Sequence, residues 1–207
     1  MTKASRKERE RELRRNDIID AAEKLFFSKG YDNVSMSEIA KEADMARATI
    51  YQYFKNKKDI NAAIAGRGAQ ILYEMFEKIP EDLTGIENIR ALSKTYYQFY
   101  KQHTGYYNAY YHSGAFEYED SPYLEELKKL RKKNFQYVIK AIKKGFKDGT
   151  IRKDIDPAAT TLIMILISNN VHNILPLTRM YMDEYNMTQD DLFEVNVDQI
   201  IRAIENK

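Results

Sequence analysis

Apolar residues recur three and four positions apart along most of this chain, and no run of alternating apolar and polar residues is long enough for a sheet. Ile18, Ala21, Ala22, Leu25 and Phe26 mark one face of a first helix over about 16–29, capped by Asn16 or Asp17 and closed by Gly30. Ile39, Ala40 and Ala43 give a helix of about two turns a small apolar face. Ile50 and Phe54, four apart, anchor the next. A fourth helix starts at the Asn56 cap, passes Gly66 and Gly68, and stops before Pro80. A fifth over about 86–103 turns Ile89, Leu92, Tyr96, Phe99 and Tyr100 inward, and Gly105 breaks it. Ser121–Pro122 opens a helix to about Asp148, and Asp156–Pro157 opens another to about Leu175. A shorter piece over 178–185 precedes a last helix over about 189–205, whose stripe is Leu192, Val197, Ile200, Ile201 and Ile204. The pattern predicts an all-α chain of about nine helices: an N-terminal three-helix unit over 1–60 and a larger helical domain over 61–207.

The stretch SMSEIAKEADMARATIYQYFKNKKD, residues 35–59, carries the most local information. Ser35 and Glu38 have capping-box spacing, in which hydroxyl and carboxylate each satisfy an orphan backbone N–H. Asp44 falls where the chain turns, and Asp tolerates a left-handed backbone better than most residues. With Ile50 and Phe54 facing the core, Arg47, Ala48, Thr49 and Gln52 face away. One cation and two neutral hydrogen-bonding groups suit a groove of base edges and phosphates. Asn56 caps the following helix with Asp59 three residues on, and Lys57 lies in its first turn, where backbone N–H groups favour an anion such as phosphate.

This stretch resembles the tetracycline-repressor (TetR) family of transcriptional regulators. The likeness covers roughly the first sixty residues and is sharpest in TIYQYFKNK, Thr49–Lys57, while IIDAAEKLFFSKGYDNVSMSEIAKEA resembles the family's first helix and the entry to its second. It implies a helix-turn-helix in which Arg47, Ala48, Thr49 and Gln52 approach bases, Tyr51, Tyr53 and Lys57 grip phosphates, and Ser35 assists from the second helix. Three positions depart from the family pattern. Asp44 stands for the usual turn Gly, Ala46 for the usual hydroxyl cap, and Ala48 where Gly is common.

Composition narrows the class. Hydrophobic residues at 43% and charged residues at 31% fit a water-soluble globular protein. No cysteine is present, which excludes disulfides and thiolate metal sites and fits the cytoplasm. The charged start is unlike a secretory signal, and the most apolar run, from Ala158, is interrupted by Ser168, Asn169, Asn170 and His172, so a buried helix is expected and no membrane partner. The net charge is only +2, but the first fifteen residues carry seven Lys+Arg against three Asp+Glu. That segment reads equally well as a phosphate-tracking arm or as a frayed, charge-alternating helix start.

The second domain is unusual for its tyrosines. Seven lie between Tyr96 and Tyr111, and tyrosine offers the flat apolar body and single hydroxyl that small-molecule pockets use. The resemblance implies an effector site among the fourth to eighth helices. Candidates are Tyr96, Tyr100, His103, Tyr107, Tyr110 and Tyr111, with Phe116, Asn169 and His172 on the far wall. The resemblance also implies a homodimer. Ile163, Ile167, Val171 and Ile174 on one helix and Val197, Ile200, Ile201 and Ile204 on another could form its interface, though periodicity leaves open that both stripes are used inside the subunit.

The three histidines lack metal-site spacing, and no carboxylate pair, phosphate loop or nucleophile elbow stands out, so neither cofactor nor metal is expected and an enzyme is disfavoured. An enzyme using the aromatic cavity and a helical protein-interaction module remain as alternatives to a ligand-released repressor on a palindromic DNA operator.

Overall fold

The computed structural model describes residues 3–112 and 121–206. Ten α-helices follow one another: α1 Lys3–Lys29, α2 Met36–Glu42, α3 Arg47–Tyr51, α4 Lys57–Glu77, α5 Gly85–Gln102, α6 Thr104–His112, α7 Pro122–Asp148, α8 Pro157–His172, α9 Pro176–Glu184 and α10 Gln189–Ile204. There is no named strand among the described residues; one isolated bridge joins Ile151 to Glu205. The count exceeds the expected nine because the tyrosine-rich segment after Gln102 forms a helix of its own, α6, while the expected piece near 178–185 is α9. Helix α9 starts at Pro176 and is bent 73° from α8 at a short break. No single helix is long and apolar enough to cross a membrane.

Local signals act where the sequence puts them. Asp156 accepts from Ala159 N at 2.7 Å ahead of Pro157 at the first helical position. Thr188 and Asp191 form a capping box on α10. The start of α1 differs from expectation. Nothing caps it at Asn16 or Asp17, and the helix runs back to Lys3. Glu, Lys and Arg are good helix formers, and the pairs Arg6–Glu10 and Glu12–Arg15 support the solvent-exposed turns without an apolar stripe.

The chain forms two compact units, 1–71 with 103–130 and 72–102 with 131–207. In the first, α1 covers α2 and α3 around Ile18, Ala22, Leu25, Phe26, Val34, Ile39, Ile50, Phe54, Ile60 and Ile64. The expected core is reproduced except that Ala43 is only partly buried at its edge. Helix α6, built from the tyrosine-rich segment, packs on α1. Two glycines allow the close approach. A Cβ on Gly105 would sit 2.6 Å from the Phe27 ring, and one on Gly68 would sit 3.1 Å from Tyr106. Gly66 faces open space, so of the two glycines in α4 only Gly68 serves packing.

In the second unit α10 packs on α8 and α5. Val197, Ile200, Ile201 and Ile204 are all buried there, with Phe193, Ile89, Leu92 and Phe99. The interface expected from the α10 stripe is therefore corrected: those four residues are spent inside the subunit. Val171 is buried too and Ile174 partly so, whereas Ile163 and Ile167 are exposed beside Leu162 and Leu166. The outer apolar row of α8 is thus 162, 163, 166 and 167, which keeps two members of the predicted stripe and ends before Val171.

Candidate nucleic-acid interface

The turn between α2 and α3 is set by backbone hydrogen bonds. Ser35 Oγ accepts from Glu38 N at 3.2 Å, and Glu38 Oε2 accepts from Ser35 N at 2.9 Å, so the capping box is complete. The Ser35 backbone N–H, with the Lys29 ammonium and the Ser35 hydroxyl, pulls the Glu38 carboxyl down to about 2. At the other end of α2, Met45 N donates to Ala40 O and Asp44 N to Lys41 O, the paired bonds of a Schellman motif. Asp44 takes φ 51° there, the left-handed backbone that glycine adopts most readily and Asp tolerates. Ala46 offers α3 no side-chain cap, as its lack of a hydroxyl requires.

Helix α3 is divided cleanly. Ile50 and the following Phe54 are fully buried, while Arg47, Ala48, Tyr51 and Gln52 are exposed and Thr49 and Tyr53 half-buried. Arg47 Nη2 donates to Tyr51 Oη at 3.2 Å, and the guanidinium carbon lies 5.5 Å from the Tyr51 ring centre. These two side chains form one polar surface with N–H donors to spare. Phe54 is held from behind by Tyr123, at the start of α7. The rings stack at 4.8 Å, and Tyr123 Oη donates to Tyr53 O at 3.0 Å. Sequence reasoning missed Tyr123, which lies 70 positions from Tyr53 and carries no local signature.

Lys57 departs from expectation. Its ammonium donates to Tyr31 O at 2.7 Å and Val34 O at 2.8 Å, and lies 4.2 Å from the Tyr31 ring centre. The predicted phosphate grip is corrected to a clamp: the start of α4 is tied to the loop between α1 and α2, and the charge is spent on carbonyl oxygens. Asn56 caps α4 as expected, accepting from Asp59 N at 3.0 Å.

Further along α4, Arg67 reaches α1. It donates to Asp20, to Glu23 at 2.8 Å and to Asn16 at 3.2 Å. Burial disfavours its charge, but Asp20 and Glu23 outweigh that and raise its pKa. Tyr106 of α6 donates to the other Glu23 oxygen at 2.9 Å; burial first, then this carboxylate, pushes the phenol up to about 12.

The effector candidates do not form one group. Tyr96, Tyr100, Asn169 and His172 come together in the second unit. Tyr96 Oη donates to Asn169 Oδ1 at 2.8 Å, and Tyr100 stacks on His172 at 4.8 Å. Tyr97 and Phe193, absent from the predicted set, complete it by stacking at 4.0 Å. Burial lowers the His172 pKa to about 4, so the ring is neutral at pH 7. His103, Tyr107, Tyr110 and Tyr111 belong to the first unit, where Tyr107 is fully buried and stacks on Tyr111 at 5.8 Å. Phe116 lies outside the described residues. Among the described residues no three His, Asp or Glu side chains are grouped to hold a metal ion.

An exposed polar face on a short helix, backed by a turn of this geometry, is a helix-turn-helix. The family profile "Bacterial regulatory proteins, tetR family" matches residues 18–64, the segment from the buried face of α1 through the first turns of α4. Residues 18–64 are thus similar to the DNA-binding segment of TetR-family transcriptional regulators. The chain is 29% identical over 156 residues to YhgD, a helix-turn-helix-type transcriptional regulator of Bacillus subtilis (strain 168), covering 73% of this chain and 78% of that one. The TetR fold extends over nearly the whole chain. A tetR-family regulatory protein from Rhodococcus RHA1 superposes with TM-score 0.71 at 16% identity, covering 94% of this chain and 98% of that one. FadR of Bacillus subtilis, solved with stearoyl-CoA, superposes with TM-score 0.66 at 20% identity, covering 89% and 96%.

Proposed function

We propose that this protein is a TetR-family repressor that binds a palindromic operator as a homodimer and is released by a small aromatic or hydrophobic effector. The observation that carries the reading is the two-sidedness of α3: Ile50 is fully buried while Arg47 and Gln52 stand in solvent. Arg47 can donate two hydrogen bonds to a guanine edge and Gln52 can pair with an adenine edge, with Thr49 and the Ala48 backbone close by. Tyr51 and Tyr53 donate to phosphates and Ser35 adds a hydroxyl from α2, while Lys57 positions the unit. In functional terms residues 1–60 read DNA and residues 61–207 hold effector and partner. Two copies joined through the exposed row of α8 would set their recognition helices about 34–36 Å apart, or a multiple.

For the effector, the supporting set is Tyr96, Tyr100, Asn169 and His172 with Tyr97 and Phe193: flat apolar surfaces around a neutral imidazole and one amide. A neighbour of the same fold solved with an acyl thioester makes a long apolar ligand a reasonable first probe. Such a regulator needs no cofactor and works in the cytoplasm, where the operator is. Gel-shift titration against genomic fragments tests the reading. Arg47→Ala should cost about 1–3 kcal/mol on the bound operator and relax its sequence preference, and unchanged affinity and preference would remove the assignment.

A further inference from the structure

The first turns of α1 lie ahead of the buried core of the first unit. Helix α1 begins at Lys3, well ahead of the family profile's first residue, Ile18, and its residues 6–14 are all exposed. Basic residues outnumber acidic ones there, and Glu10 lies between Lys7 and Arg14 on the same stripe, where it is engaged by Arg6. Lys7, Arg11 and Arg14, spaced four and three apart, share one side of the helix. Among the described residues no carboxylate pairs with any of the three, whereas Arg6 is engaged by Glu10 and Arg15 by Glu12. Leu13 is the one large apolar side chain in this stretch, so there is no apolar face to enter a membrane.

The root of this segment lies next to the recognition helix. The Arg15 guanidinium carbon is 5.1 Å from the Tyr123 ring centre, and the same ring stacks on Phe54 and bonds Tyr53 O. One aromatic ring therefore separates the base of the extension from the chain leaving α3. From Arg14 back to Lys7 the helix rises about 10 Å, roughly three base-pair steps.

We propose that the N-terminal extension of α1 is a second DNA contact, in which Lys7, Arg11 and Arg14 lie along the phosphates flanking each half-site. The proposal rests on the DNA-binding reading above. It adds a sequence-independent term that widens the footprint and steepens the salt dependence without altering base preference.

The test uses the full chain and an operator duplex selected from a random library, in two lengths: trimmed to the recognition-helix footprint, and carrying ten extra base pairs on each side. Affinity is measured between 50 and 250 mM NaCl. Lys7→Gln/Arg11→Gln/Arg14→Gln should weaken binding to the longer duplex about tenfold or more and flatten its log–log salt slope by about 2–3 per subunit. It should match the parent chain on the trimmed duplex. The charge-retaining variant Lys7→Arg/Arg11→Lys/Arg14→Lys should restore both, and Lys143→Gln/Lys147→Gln/Lys153→Gln should leave the slope unchanged. Parent-like behaviour of the first variant on the longer duplex, with Arg47→Ala still losing sequence preference, overturns the proposal and leaves the reading of α3 intact. An equal loss in the Lys143 variant also overturns it, by assigning the effect to net charge. Failure of the parent chain to select any duplex sinks the DNA-binding reading itself.

Discussion

Lys57 Nζ donates to Val34 O at 2.8 Å, joining the first residue of α4 to the residue before the Ser35 cap of α2. A lysine bound to two carbonyls is a structural fastener, and its removal leaves acceptors half-buried and unmet.

Lys57→Met keeps the stem and removes the donors. It should lower stability by about 1–3 kcal/mol in urea unfolding while leaving the salt slope of operator binding unchanged. A slope shallower by about 1 with stability preserved would return Lys57 to a phosphate.

Tyr106 and Arg67 share Glu23, so α6 and α4 are both bound to the first helix through one carboxylate. Tyr106→Phe removes one arm with little change in volume. Stability should fall by about 1–2 kcal/mol, and the effector concentration that halves operator binding should shift if α6 takes part in release. Glu23→Leu should cost more, because Tyr106 loses its acceptor and Arg67 keeps only Asp20 and Asn16. Thermal melts and effector titrations of the two variants check both statements.

His172 makes stability depend on mild acid. Its folded pKa is about 4 and its ordinary value 6.5, so between the two the unfolded chain takes up a proton that the folded chain refuses. The contribution is complete above pH 6.5 and is lost as pH falls toward 4, at up to about 1.4 kcal/mol per pH unit. Glu38 and Asp154, held near 2 from ordinary values of 4.5 and 3.8, add their own loss mainly below pH 5. Urea midpoints should therefore drop between pH 7 and 5, and His172→Phe should flatten that drop.

The outer row of α8 and the inner stripe of α10 should fail differently. Ile163→Glu/Ile167→Glu, on exposed positions, should leave the melting temperature nearly unchanged while sedimentation shows monomers that no longer bind operator. Ile200→Ala, inside the subunit, should cost about 2–5 kcal/mol. A dimer that survives the glutamates moves the interface elsewhere.

How much of this could be read from the residues depended on how local the cause was. The Ser35–Glu38 box, the Asp44 turn, the Asn56 and Asp156 caps and the two faces of α3 are fixed within four positions, and the pattern shows them. Lys57 could not be read because its acceptors are main-chain carbonyls 23 and 26 residues away, and a carbonyl leaves no mark on composition. On α5, Tyr97 goes inside ahead of Tyr96 and Tyr100 because Phe193, almost a hundred positions later, stacks on it. The α10 stripe has the same period whether its own subunit or a second copy covers it. Helix α1 begins early because paired charges can hold a solvated helix, which hydrophobic periodicity does not register.

Tyr123 gives the DNA-reading segment a dependence on distant chain. Residues 18–64 have the look of a separable module, yet Phe54 takes its covering ring from α7, and Ala62, Ala65 and Ala69 of α4 pack against Leu124 and Leu127. An excised fragment ending after α4 would turn that seam to water. Transplanting the operator specificity of this protein onto another regulator would therefore mean carrying residues 103–130 along with the N-terminal helices.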